Sequence, residues 1–169
     1  MTDLLEISVI NAMDKATFVA TFGDIYEHTP RVADEAFAAK SFESGQHLTT
    51  AMATVVANFS HDKKMKLVLE HPRLGKRGKL TASSESEQAS IGLDKLRDAK
   101  FDELAQLNDD YFDRFQFPFI VAVKLLAGRD VRAVIKERLL NDVATEFATA
   151  LEEIDKIAAV RLGLLVTKG

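Results

Sequence analysis

The chain has 169 residues, enough for one domain with a sizeable core, and its apolar content of 47% is usual for a globular protein. It has no cysteine, which excludes disulfides, thiolate catalysis and cysteine-based metal sites. A net charge of -4 argues against nucleic-acid binding, and no apolar run reaches the roughly 18 residues of a membrane span. We therefore expect one cytoplasmic domain over residues 1–169.

Helical periodicity dominates the first seventy residues. Asp14 is a candidate N-cap for a first amphipathic helix, and Pro30 predicts the start of the next. Ser44 is the candidate cap of a longer helix. A short helix around residues 65–69 then leads into His71.

The middle of the chain changes character. Glycine, proline and basic residues predict a flexible loop over 72–83, and a helix restarts near Ser84. A helix with one apolar side covers residues 101–115 and is stopped by Pro118. The apolar run 119–126 fits either a strand or a buried helix, because periodicity alone does not separate the two.

The last third is again helical. Gly128 breaks the apolar run, and two helices are predicted at roughly 130–141 and 143–166. No strand ladder, hairpin signal or repeat is present. The predicted fold is all-α, a single-domain helical bundle of roughly eight helices.

His71 and Pro72 form the first candidate for chemistry. Proline restricts its own φ and the conformation of the residue before it, which would hold the imidazole in one orientation at a helix end. Histidine titrates near neutrality and can give or take a proton there. The alternative is a helix-terminal histidine that interacts with the helix dipole.

Ser84 and Glu87 have the spacing of a capping box, with Ser84 at the N-cap and Glu87 at N3. The same helix start would also offer backbone N–H groups to an anionic ligand. Gln88 adds an amide with donors and an acceptor. A carboxylate near His71 would favour the imidazolium and raise its pKa. Capping and ligand binding both remain open.

Arg161 falls on the apolar stripe of the last predicted helix, seven residues after Ile154. An inward guanidinium needs a partner. One interpretation is a structural salt bridge, with Glu87 or Asp109 as candidates, or snorkelling at the edge of the stripe. The other is a clamp for a substrate carboxylate or ureido oxygen.

The segment Phe117-Pro118-Phe119-Ile120 is the last candidate. Such apolar segments are usually core. Here the proline also interrupts a helix, so the segment can line a pocket and offer freed backbone groups.

These motifs, in this order, resemble the 2-oxo-4-hydroxy-4-carboxy-5-ureidoimidazoline (OHCU) decarboxylase family of urate degradation. The resemblance covers most of the chain. It is carried by Phe22-Gly23-Asp24-Ile25-Tyr26-Glu27-His28-Thr29-Pro30, His71-Pro72-Arg73-Leu74-Gly75, Leu80 to Gln88, Leu107-Asn108-Asp109-Asp110-Tyr111, Arg114 to Ile120, and Ile154 to Leu162. Arg31, Arg73 and Gln116 depart from the family pattern, standing where an aromatic residue, an acidic residue and a glycine are frequent.

The resemblance implies an all-α, cofactor-free, metal-free enzyme that is commonly a homodimer and converts OHCU to (S)-allantoin and CO2. It implies His71 as the proton donor and Glu87 as its catalytic partner. The substrate-binding residues it implies are Pro72, Ser84, Glu85, Ser86, Glu87, Gln88, Phe119, Ile120, Val121, Ala122, Val123 and Arg161. It also suggests a functional link to 5-hydroxyisourate hydrolase.

The chemistry of OHCU is compatible with an enzyme without cofactors. The departing carboxylate leaves a carbon next to a C=N bond, so the substrate carries its own electron sink. Two alternatives remain open: a decarboxylase of a related ureido or imidazoline acid, and a non-catalytic all-α interaction module.

Overall fold

The computed structural model describes residues 3–74, 82–90 and 98–168. Within these ranges it contains nine α-helices and two 3-10 helices, and the β pairing found there is one isolated parallel bridge between Leu5 and Val166. The all-α prediction is confirmed, with nine α-helices in the described ranges where about eight were expected. The predicted basic loop falls, over 75–81, outside the described residues.

The helices are α1 Ile7–Ala12, α2 Lys15–Phe22, α3 Arg31–Ala36, α4 Gly45–Ala57, α5 His61–Leu69, α6 Ala82–Ser90, α7 Asp98–Phe115, α8 Val131–Arg138 and α9 Val143–Gly163, with 3-10 helices at Phe37–Ala39 and Val123–Leu125. They form two compact units. The first comprises the described residues up to Glu70 and from Asp155 onward, and the second runs from His71 to Ile154. In the described parts of the chain, no helix is long and apolar enough to cross a membrane.

Side-chain caps begin three helices of the first unit. Asp14, Ser44 and Ser60 each accept a hydrogen bond from the backbone N–H three residues later, at 2.8, 3.1 and 3.3 Å. The caps predicted at Asp14 and Ser44 are confirmed. Ser60 was not predicted as a cap, and it starts α5 at His61, earlier than expected.

The core of the first unit is built from α2, α3 and α4, which lie beside one another. Phe18 is fully buried and packs against the rings of Phe22, Phe37 and Phe42. The helical spacing in the sequence therefore marks the inward faces correctly, because each turn of an amphipathic helix returns to the same side.

The last helix ends earlier than predicted. α9 stops at Gly163, not near residue 166. The backbone beyond it pairs with the N-terminal segment instead: Leu5 N donates to Leu165 O at 2.7 Å and Thr167 N donates to Leu5 O at 3.0 Å. These carbonyl and amide groups are thus satisfied without further helix.

In the second unit, α7 ends at Phe115 before Pro118, as predicted. Gln116 takes a left-handed φ of 63°, and its side-chain Nε2 donates to the carbonyls of Phe112 and Asp113 at 3.2 and 2.9 Å. A left-handed residue after a helix is commonly glycine. This geometry explains why glycine suits position 116, and the Gln116 amide offsets part of the strain by capping the helix.

The apolar run 119–126 is neither a strand nor an α-helix, so neither alternative was right. Residues 119–122 are irregular and extended, and a 3-10 turn follows at Val123–Leu125. Ala127 and Gly128 then take left-handed φ values of 52° and 83°. The segment is held by side chains from elsewhere in its unit, which no local pattern reveals.

Candidate active site

His71 is the first residue of the second unit and follows directly after the cap of α5. It is not helical, and only 8% of its surface is exposed. Pro72 beside it is half-buried. A buried, locally restrained imidazole is suited to transferring a proton to a bound molecule away from bulk water.

Helix α6 begins before the predicted position. It starts at Ala82, so Ser84 is its third residue and cannot be the N-cap of a capping box. That interpretation was wrong because Ala82 and Ser83 already adopt helical structure, which the box pattern cannot detect. Ser84 still belongs to the first turn, where backbone N–H groups have no acceptor within the helix.

The side chains of the predicted 84–88 segment lie on different faces of α6, some buried and some exposed. Ser84 and Gln88, one turn apart, are buried with 5% and 7% exposure, and Glu87 beside them is half-buried. Ser86 is exposed. The side chain of Glu85 is outside the described part of the molecule. Residues one turn apart share a helix face, so the face with Ser84, Glu87 and Gln88 is the one directed inward.

The predicted 119–123 segment is buried along its whole length, with exposures from 1% to 6%. Ala122 N donates to Glu153 Oε2 at 3.2 Å. Among the described residues, no acceptor faces the N–H groups of Ile120 and Val121. Buried N–H groups nearly always have a partner, so these two are suited to binding oxygen atoms of a ligand.

The structure brings these two predicted substrate-binding segments together. α6 lies beside the 3-10 turn Val123–Leu125 that continues directly from 119–122. The polar inward face of α6 and the N–H groups of the extended segment thus belong to one part of the second unit.

Sequence analysis missed the residues that hold the 119–123 segment. Arg138 on α8 donates from Nη1 to the carbonyl of Ile120 and from Nε to Glu146 Oε2 at 2.9 Å. The Tyr111 hydroxyl donates to the same Glu146 oxygen. Because the C=O and N–H of a trans peptide point in opposite directions, fixing the Ile120 carbonyl also orients the Val121 N–H.

This cluster is almost completely withdrawn from solvent. Arg138 is 7% exposed, and Glu146 and Tyr111 are 0% exposed. Burial, with the hydrogen bond to Glu146, raises the pKa of Tyr111, which therefore remains a proton-bearing donor. Arg138 follows Val134 and Ile135 on the apolar face of α8. An arginine on an apolar stripe, the signal used for Arg161, would have identified it.

Arg161 belongs to the first unit and is 4% exposed, which excludes snorkelling. Its Nη2 donates to Glu27 Oε2 at 2.9 Å and its Nη1 donates to the carbonyl of Ile25 at 3.2 Å. The predicted buried salt bridge therefore exists. The carboxylate found is Glu27, which the sequence analysis had not considered as the partner of Arg161.

A second polar pair lies in the first unit. The hydroxyl of Tyr26 donates to Asp155 Oδ1 at 2.8 Å. Burial raises the pKa of Asp155, partly offset by this hydrogen bond, and burial also raises the pKa of Tyr26. Across the residues that the structure describes, no group of three His, Asp or Glu side chains is arranged to bind a metal ion.

The described residues define an all-α fold. The family model of OHCU decarboxylase matches residues 11–163. The chain belongs to the OHCU decarboxylase family.

Individual relatives agree with this assignment. The chain is 40% identical to the 2-oxo-4-hydroxy-4-carboxy-5-ureidoimidazoline decarboxylase of Haloferax volcanii over 158 residues, 94% of each chain. It is 36% identical to a uric acid degradation bifunctional protein of Bacillus subtilis, over 94% of this chain and 32% of that one. A crystal structure of (S)-allantoin synthase superposes with a TM-score of 0.77 at 28% identity, over 96% of this chain and 54% of that one.

Proposed function

We propose that this protein decarboxylates OHCU to (S)-allantoin and CO2 in urate degradation, with His71 as the proton donor. Support for the reaction comes from family membership over residues 11–163 and from relatives named for this activity. The observation that carries the site assignment is the adjacency of α6 and the 3-10 turn Val123–Leu125, which continues directly from the buried residues 119–122.

The proposed substrate contacts follow from burial. The N–H groups of Ile120 and Val121 donate to oxygen atoms of the substrate, and Ser84 and Gln88 contact its polar arms from α6. The resemblance also implies Glu85 and Ser86 as substrate ligands, and the side chain of Ser86 is exposed. The family resemblance adds Pro72 and Arg161 as substrate ligands, Arg161 through a carboxylate or ureido oxygen.

The proposed reaction needs one proton. The bond between the carboxylate carbon and the ring breaks, CO2 departs, and the electron pair moves toward the adjacent C=N bond. The hydroxyl on the carbon that lost CO2 gives its proton to the ring nitrogen and becomes the carbonyl of allantoin. His71 protonates the neighbouring, ureido-bearing carbon from one face, which sets the (S) configuration, and regains its proton from water. Glu87 positions the imidazole and favours its charged form.

Circular dichroism tests this proposal. OHCU is generated in situ by urate oxidase and 5-hydroxyisourate hydrolase, and the optical activity of the allantoin is followed with and without the protein. We expect rapid formation of (S)-allantoin. His71→Asn should lower the rate by about 10²- to 10⁴-fold, the usual contribution of a general acid.

Three further variants complete the test. His61→Asn changes an exposed histidine on α5 and should retain the wild-type rate. Glu87→Gln should lower kcat without lowering the melting temperature, whereas Glu152→Gln, at an exposed position of α9, should change neither. A folded His71→Asn protein that keeps the wild-type rate and yields only (S)-allantoin would refute the role of His71. A folded wild type that leaves only slow racemic allantoin would refute the reaction.

We also propose that the chain acts as one cytoplasmic domain, that it forms a homodimer, as the resemblance implies, and that it is coupled to 5-hydroxyisourate hydrolase. The family match over 11–163 supports a single domain. The match to one third of a bifunctional uric acid degradation protein supports coupling to another step of the route. Light scattering measures the molar mass in solution and so tests the dimer. Cell fractionation tests the cytoplasmic location. Co-purification with 5-hydroxyisourate hydrolase tests the coupling.

A further inference from the structure

We propose that Asn108 on α7 is a positioning residue for His71: it ties the segment His71–Leu74 to α7 and so sets where the imidazole stands during proton transfer. The inference rests on the proposed function. It adds a residue, and a mechanical support, that the pattern around His71 does not contain.

The tether is a buried hydrogen bond between distant parts of the sequence. Asn108 Nδ2 donates to the carbonyl of Leu74 at 3.0 Å and to the carbonyl of Leu104, one turn earlier on α7, at 3.1 Å. Both partners are acceptors, so the NH2 group must face them and the orientation of the amide is determined. Asn108 is 3% exposed, so water competes little for these bonds.

The carbonyl oxygen of the Asn108 amide, Oδ1, indicates why an asparagine occupies this position. Among the described residues, no hydrogen-bond donor reaches its buried Oδ1. Leaving a buried polar atom without a hydrogen bond lowers the stability of the folded state. An apolar side chain would avoid this cost, so the benefit of asparagine at this position lies in its two donors, one of which holds Leu74.

A second contact holds the same segment on the same helix. Arg73 forms an ion pair with Asp109, and its guanidinium lies over the ring of Phe112 at 4.6 Å. Arg73 is 34% and Asp109 57% exposed, so solvent screens the pair and it is the weaker tether. An acidic residue at 73 would be repelled by Asp109, so Arg73 and Asp109 suit each other.

The tether acts on His71 through a short and stiff connection. Only Pro72 and Arg73 separate His71 from Leu74, and proline has a fixed φ. A displacement of about 1 Å at a reacting group can cost roughly 100-fold in rate. Loss of the anchor should therefore impair protonation and its facial selectivity more than substrate binding.

The test compares Asn108→Leu with Asp110→Asn, a control at an exposed position two residues along α7. Leucine has similar size, removes both donors and also removes the unsatisfied Oδ1, so the variant should remain folded. We expect kcat to fall by about 10- to 100-fold, KM to stay within about twofold, and the enantiomeric excess of (S)-allantoin to decrease. Asp110→Asn should match the wild type in all three.

Asp109→Asn provides a second route to the same answer, because it removes only the exposed ion pair and leaves the core intact. It should lower kcat by a smaller factor, again with KM unchanged. If Asn108→Leu does not fold, Asn108→Ala, which also removes both donors, decides the question. The inference is overturned if the folded variants keep the wild-type kcat and enantiomeric excess while His71→Asn is inactive. If His71→Asn is itself fully active, the proposed function fails, which is a separate result.

Discussion

Two buried polar clusters, one in each unit, are built from the same parts. The first contains Tyr26, Glu27, Asp155 and Arg161, and the second contains Tyr111, Arg138 and Glu146. In each, a tyrosine donates to a carboxylate of α9, and an arginine bridges a glutamate and a backbone carbonyl. They differ in the number of carboxylates: the first cluster has two, whereas the second has one.

This difference determines how far a change at one carboxylate spreads through each cluster. In the second cluster Glu146 accepts from both Arg138 and Tyr111, so any change to it disturbs the whole network and the Ile120 carbonyl that Arg138 holds. In the first cluster the tyrosine and the arginine use different carboxylates. The hydrogen bond of Tyr26 to Asp155 therefore does not use the Glu27 carboxylate that Arg161 contacts.

The largest expected effect is the loss of Glu146. Glu146→Gln should lower the free energy of unfolding by about 3–5 kcal/mol, because it leaves the buried Arg138 without a counter-charge. Urea denaturation measures the change. Glu137→Gln, in an exposed ion pair with Arg129, is the matched control and should cost less than about 1 kcal/mol.

A double variant sharpens this prediction. Replacing both charges, with Arg138→Met and Glu146→Leu, should retain more stability than Glu146→Gln alone, since an apolar pair leaves no buried charge. If the urea midpoint of Glu146→Gln equals that of the wild type, the cluster does not stabilise the second unit. The comparison between the two clusters would then be wrong.

Arg161→Lys should have the next largest effect, and on activity rather than on folding. Lysine keeps the charge beside Glu27 but lacks the planar fork that contacts several oxygen atoms at once. We expect kcat/KM for OHCU to fall by about 10- to 100-fold, the worth of one hydrogen bond to a charged group. A variant with lowered melting temperature but unchanged kcat/KM would assign Arg161 to structure alone.

Asp155→Asn should have the smallest effect, and one that depends on pH. Burial raises the pKa of Asp155, so the folded state favours its protonated form. The free energy of unfolding of the wild type, relative to that of Asp155→Asn, is therefore greatest when the pH is below 3.8, the ordinary pKa of an aspartate carboxyl. The difference is lost as the pH rises through the raised pKa of Asp155 in the folded state.

Asparagine has no charge to bury and can still accept the hydrogen bond from Tyr26, so it isolates the cost of the carboxylate. Thermal unfolding of both proteins between pH 3 and pH 8 measures the difference. A stability difference that stays constant over this range would show that Asp155 carries no burial penalty.

Sequence patterns located the features that depend on neighbouring residues. The caps at Asp14 and Ser44, the end of α7 before Pro118 and the helix end at His71 all follow from interactions within a few residues. The start of α6 was misplaced because a capping box was preferred over two further helical residues. Helix termini are decided by small energy differences, which makes them hard to locate from pattern alone.

Partners that are distant in the sequence could not be predicted in this way. Glu27 was not foreseen for Arg161, and neither Arg138 nor Asn108 was selected, although each contacts a predicted site or its flanking segment. Periodicity reports which side of a helix faces inward, but it does not report what lies opposite.

By itself the sequence determined the all-α class, the inward helix faces and the family, because helix formation and burial follow local spacing and composition. Only the tertiary structure decided the conformation of 119–126 and the supports behind His71 and Ile120. Their hydrogen bonds join residues 18 and 34 positions apart, and such bonds form only once the helices have packed.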